Sequence, residues 1–104
     1  MIHDAKIINV VDGDTFDAIV DLDFALTLKI RIRLFGVDCP EMSKKNPAGI
    51  AAKEFSQMML LDQKIVLNYI KHDSFGRCLC QLYLIGKNYA DILLEAGHAA
   101  IYRA

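Results

Sequence analysis

The chain has 104 residues, 12 basic against 13 acidic side chains, 54% apolar residues and no Trp. That length fits one domain, residues 1–104, and a chain of this size buries roughly two-thirds of its unfolded surface. The apolar share and the net charge of −1 exclude a disordered tail and argue against a protein that coats nucleic acid by bulk electrostatics. No apolar run reaches the roughly 18 residues a membrane helix needs, so no membrane partner is expected. The three Cys make a poor disulfide framework. The opening MIHDAKIINV lacks an apolar block followed by small residues. A cytoplasmic protein is therefore expected, secretion after removal of a leader being the alternative.

Residues 6–11 are β-branched and read as a strand. Asp12-Gly13 follows and reads as a hairpin turn, because both residues tolerate positive φ. A second strand covers 14–20, and Asp21-Leu22-Asp23 bends the chain again. Residues 26–34 alternate with period two: Leu26, Leu28, Ile30, Ile32 and Leu34 share one face, and Lys29, Arg31 and Arg33 the other. Pro40, which lacks an N–H, places 36–41 in a loop. Residues 48–61 read as a helix, with Ala51, Phe55, Met58 and Leu61 at helical spacing and Asp62-Gln63 as its break. Residues 64–70 and 78–85 are two further strands, separated by a polar loop holding Gly76. Asn88 is placed to cap a last helix over 89–96, which Gly97 ends.

The order βββ-α-ββ-α makes a mainly β, α+β domain. It predicts a five-stranded OB-type Greek-key barrel, with one helix between strands three and four and one after strand five. A half-open β-rich sheet is the alternative. No repeat, linker or low-complexity stretch interrupts the chain.

Three polar clusters stand at strand ends: Asp12/Asp14, Arg33 with the Asp38-Cys39-Pro40-Glu41 run, and Gly76-Arg77. Asp14 opens a strand and the Asp38 run follows one, so a meander can bring those ends side by side. Two carboxylates with loop carbonyls form a hard-oxygen site suited to Ca²⁺ or Mg²⁺. Two Arg nearby can fork a phosphate bidentately, which Lys cannot do. Taken singly, Asp-Gly is an ordinary turn and a strand Arg an ordinary solvated charge. The conjunction carries the reading.

In that conjunction the sequence resembles the staphylococcal nuclease (thermonuclease-like) family. The matching strings are Val11-Asp12-Gly13-Asp14-Thr15, Arg33-Leu34-Phe35-Gly36-Val37-Asp38-Cys39-Pro40-Glu41 and Phe75-Gly76-Arg77, with weaker matches over 49–55 and 93–99. The resemblance implies an OB-type barrel and Ca²⁺-dependent, endonuclease- or thermonuclease-like hydrolysis of DNA and RNA phosphodiesters, whether cuts are internal or terminal being open; a single-stranded substrate, and Mg²⁺ or Mn²⁺ as substitute ions, are further expectations. By the same resemblance, Asp14, Asp38 and the backbone carbonyl of Cys39 are the metal ligands. Glu41 positions or deprotonates the attacking water, and Arg33 and Arg77 hold the scissile phosphate. Asp12 supports the turn and adds negative potential.

There are departures. Where the family often has Lys-Tyr before Gly-Arg, this chain has Ser74-Phe75, which removes a cation and a hydroxyl. The segment between Asp14 and Arg33 is long enough for an extended hairpin tip near 21–24. The family's C-terminal helix has no counterpart before Ala104, so either lower stability of the monomer or a second copy of the chain covering the exposed face is expected.

Other residues read as follows. Tyr69, Phe75 and Tyr102 can stack bases or fill space. Cys78-x-Cys80 is no zinc site without a second ligand pair, and the Cys39 thiol is open to oxidation if its pKa is lowered. Met58, Met59 and Tyr83 read as core. A catalytically inactive OB-type module that binds nucleic acid or protein is the alternative function.

Overall fold

The structure, a computed structural model, describes residues 2–102. Its elements in chain order are β1 (Ile2–Asp12), β2 (Thr15–Asp21), β3 (Thr27–Leu34), β4 (Val37–Asp38), α1 (Pro47–Leu60), β5 (Lys64–His72), β6 (Cys78–Leu84), β7 (Lys87–Asn88), α2 (Tyr89–Glu95) and β8 (Ala100–Ile101). The strand order β3-β2-β1-β5-β6 closes on itself because β3 also pairs with β6. That last pairing is parallel and joins Ile32, Arg33 and Leu34 to Cys78, Leu79 and Cys80. The others within the ring are antiparallel. The expected five-stranded OB-type barrel with its two helices is borne out. The two-residue strands β4, β7 and β8 are additions that no periodicity could announce.

β1 starts four residues earlier than its β-branched run suggests. One strand serves two partners: Ile2–Lys6 pair with β5, while Ala5–Asp12 pair with β2. The barrel is filled by Phe16, Ile7, Ile32, Leu34, Leu67, Leu82 and Val10, all under 3% exposed. Tyr89 and Leu93 of α2 and Leu60 of α1 are fully buried with them.

Four local expectations need correction. Asp12 pairs with Thr15, so the β1–β2 turn is Gly13-Asp14, one residue later than expected, and Gly13 is not in the positive-φ region. Leu26 lies in the bend before β3 and is 60% exposed, and Leu28 lies on the expected inner face but is 52% exposed. β3 meets β6 only at 32–34, so its first half projects beyond the point of closure as an arm paired to β2. In α1 the buried residues are Gly49, Ala52, Ser56 and Leu60; Ala51 is exposed and Met58 is 74% exposed. α1 docks on β1 with its small side chains. Met59 and Tyr83 are half-buried at the margin of the core, not inside it. Asn88 caps α2 as expected, its Oδ1 accepting from the Ala90 amide at 3.0 Å.

Candidate active site

The Gly13-Asp14 turn is pressed onto α1. A Cβ on Gly13 would sit 2.8 Å from Ala52 Cβ and 3.0 Å from Cys39 Sγ, so only glycine allows this approach. The buried Ser56 hydroxyl donates to the Gly13 carbonyl at 2.7 Å and lies 2.8 Å from the Tyr89 hydroxyl. The Asp14 carbonyl accepts from the Leu34 amide at 2.9 Å. These bonds hold Asp14, 5% exposed, at the mouth of the barrel beside the end of β3.

Each oxygen of the Asp14 carboxylate has a partner. Oδ1 accepts from the Thr15 hydroxyl at 3.1 Å, and Oδ2 accepts from the Cys39 amide at 2.7 Å. Arg33 reaches both carboxylates, with Nη1 3.3 Å from Asp14 and Nη2 3.1 Å from Asp38. Its Nη1 also donates to the Leu34 and Val37 carbonyls, each at 2.9 Å. The Arg33 side chain is 13% exposed, while Asp38 is 60% exposed and faces open cleft. Asp12 lies close by and accepts from the Met42 amide at 3.0 Å, which anchors the loop after Glu41.

Glu41 is exposed, but its backbone is fixed. Asn46 Nδ2 donates to the Glu41 carbonyl at 3.0 Å. The first turn of α1 lies so close that a Cβ on Gly49 would overlap the same carbonyl. Arg77 is held by Asp73: Nε donates at 2.7 Å to Oδ2, while the Phe75 and Arg77 amides each donate at 2.9 Å to Oδ1. Burial of Asp73 opposes ionisation, but these bonds outweigh it and hold the carboxyl below its ordinary value. Burial, and then the Asp14 charge, push the Cys39 thiol up to about 12. The thiol is therefore protonated, and the condition set for its oxidation, a lowered pKa, is not met.

Asp12, Asp14, Arg33, Asp38, Cys39, Glu41, Phe75, Arg77 and Tyr102 all line one cleft of about 1160 Å³. Phe75 is 81% exposed and Tyr102 51% exposed, so neither fills the core. Each ring lies beside a guanidinium: Phe75 is 5.4 Å from Arg77 and Tyr102 is 6.0 Å from Arg33. Tyr69 is not part of the cleft wall; its hydroxyl bonds His72 Nδ1 at 2.6 Å. His72 and Lys71 line the cleft in its place.

Sequence reasoning missed the groups that hold the site: Ser56, Tyr89, Asn46, Gly49 and Asp73. Of these only Asp73 left a local signal, an Asp that opens a Gly-containing turn.

Among the described residues no group of three or more His, Cys, Asp or Glu side chains is arranged to hold a metal. A cation here would take Asp14 and Asp38 and complete its shell from backbone carbonyl and water. All of these donors are oxygen, and the set fits a hard divalent ion, not zinc. The Cys39 backbone is already fixed against Asp14 by its amide, beside this pair.

The sequence pattern of the family described as "Staphylococcal nuclease homologue" matches residues 31–104. The chain is 37% identical over 106 residues to a protein named thermonuclease from Staphylococcus hyicus, covering 94% of this chain and 60% of that protein. It is 40% identical over 96 residues to a thermonuclease from Staphylococcus intermedius, covering 86% and 54%. It is 33% identical over 116 residues to the endonuclease Htp3 of Saprolegnia parasitica, covering 94% and 55%. The chain thus spans between half and two-thirds of the length of these curated relatives. With the barrel, the cleft and these matches in agreement, the chain belongs to the staphylococcal nuclease homologue family.

Proposed function

We propose that this chain is a nuclease that hydrolyses DNA or RNA phosphodiesters by in-line attack of water, with Ca²⁺ as its cation. The observation that carries the reading is the convergence of Asp14, Asp38, Arg33 and Arg77 on one cleft. The names thermonuclease and endonuclease carried by its relatives support the same chemistry.

Phosphodiester hydrolysis is slow because water is a weak nucleophile and the anion repels it; enzymes remove up to ~20 kcal/mol of such barriers. Asp14, Asp38 and the Cys39 carbonyl would hold the cation. When bound, a divalent ion polarises a phosphate oxygen and acidifies adjacent water. Arg33, preorganised by two carbonyls and two carboxylates, offers donors to charge growing on the phosphate oxygens. Arg77, oriented by Asp73, supplies the second fork. Glu41, on its anchored loop, accepts a proton from the attacking water or orients it. Phe75 and Tyr102, exposed beside Arg77 and Arg33, are the rings on which bases stack. Stacking needs free base faces, which favours single-stranded substrate.

A labelled single-stranded oligonucleotide tests the proposal. Cleavage is expected with Ca²⁺ and is abolished by a chelator. Binding without cleavage in Ca²⁺, Mg²⁺ and Mn²⁺ would replace this reading with that of a binding module.

A further inference from the structure

A second concavity, of about 860 Å³, shares no lining residue with the cleft. Its apolar lining includes Ile19, Val66 and Tyr83. At its margin stand two apolar side chains that folding does not explain. Phe24 is 94% exposed at the tip of the β2–β3 arm, and Ile85 is 97% exposed in the β6–β7 turn. Both sit in left-handed backbone, Phe24 at φ 53° and Ile85 at φ 49°. A bulky or β-branched residue is disfavoured there, and a two-residue hairpin turn ordinarily takes Asn or Gly. Display of an apolar side chain on strained, solvated backbone points to a contact outside this copy of the chain.

The charges say which contact. Lys6 and Lys64 lie directly opposite each other across β1 and β5, a repulsive placement, and both line the groove, as do Asp4 and the arm's own Asp21 and Asp23. Neither has a carboxylate partner among the described residues. The arm tip reads Asp21-Leu22-Asp23-Phe24, two acids beside an apolar knob. A knob with two carboxylates therefore stands beside a groove wall that carries two ammonium groups and the Asp4 carboxylate, all in one patch of one molecule. Such a patch is self-complementary under a two-fold axis. The aspartates at the tip would repel a nucleic acid or an anionic membrane.

We propose that this face is the interface of a homodimer in which each arm tip enters the partner's groove. Phe24 then packs against the partner's apolar floor while Asp21 and Asp23 meet the partner's lysines. A standard interface covers ~800 Å² per partner, a modest share of the 6415 Å² surface. The inference is independent of the nuclease reading.

Sedimentation equilibrium of the whole chain tests it. The wild-type protein is expected to dimerise, and its Kd should rise with salt. Phe24→Asp should raise Kd by ~30-fold or more, as loss of a central aromatic anchor does, while circular dichroism stays unchanged because Phe24 supports no core. Lys6→Glu/Lys64→Glu and Asp21→Lys/Asp23→Lys should each be monomeric alone. An equal mixture of the two should form a heterodimer, since both junctions are then again of opposite sign. A wild-type chain that is monomeric at all concentrations, a dimeric Phe24→Asp variant, or a mixture that fails to associate would each overturn the proposal.

Discussion

Arg33 is fixed by the Leu34 and Val37 carbonyls and by Asp14 and Asp38, four acceptors around one planar group. No ammonium can reproduce that geometry, since a lysine ends in a single nitrogen. Arg33→Lys should therefore lower kcat/KM by ~10²–10³, the usual loss when a preorganised donor to the transition state is removed. It should also lower stability by about 1–3 kcal/mol, because partly buried acceptors lose their partners. Cleavage kinetics and a urea melt on one preparation separate the two effects; near-normal turnover would contradict the role assigned to this residue. The residue types of the site were legible in the sequence because strand ends, an Asp-Gly pair and an Arg on a period-two strand are local patterns. The state of Cys39 was not, since it depends on burial and on Asp14, which lies 25 residues away in the chain.

At the scale of elements, α1 is the scaffold on which the acidic turn rests. Its existence and near-exact span were legible, but its buried face was misread. Apolar spacing favoured Met58, whereas the docked face is built from Gly49, Ala52 and Ser56. Small residues let the helix approach β1 closely, and a hydrophobicity pattern cannot see that need. Ser56 serves as both hydrogen-bond donor and packing group here. Ser56→Ala should cost about 1–3 kcal/mol, because the buried Gly13 carbonyl loses its donor and the Tyr89 hydroxyl its neighbour. Tyr89→Phe, which leaves the Gly13 bond intact, should cost less, about 0.5–1.5 kcal/mol. Equal losses in chemical denaturation would mean that the Gly13 bond contributes nothing to holding the turn.

For the whole molecule, closure decides what periodicity left open. Alternation in 26–34 correctly assigned an inner face but could not say where β3 meets β6, and hence that Leu28 lies outside the barrel. The opposite face of the same hairpin carries the pair Asp17–Arg31, bonded at 2.9 and 3.2 Å, with Asn9 adding a donor at 3.1 Å. The Arg31 bonds, against some burial, hold the Asp17 carboxyl below its ordinary value, as the Arg77 and Phe75 donors do for Asp73. A carboxyl whose pKa is depressed by folding stabilises the native state above its unfolded pKa, and that contribution is lost as pH falls through the folded pKa. Stability should thus be level from about pH 7 to 5 and fall below about pH 4. Because Arg31 is half exposed, the pair contributes only about 0.5–1 kcal/mol at neutral pH. Asp17→Asn should lose that amount at pH 7, and the gap to the wild-type protein should close as pH falls through the depressed folded pKa of Asp17, below which position 17 is uncharged in both proteins. Urea melts of the two proteins across this range measure the convergence; a gap that stays constant with pH would show that Asp17 acts by packing alone and that the ion pair across the hairpin is without consequence.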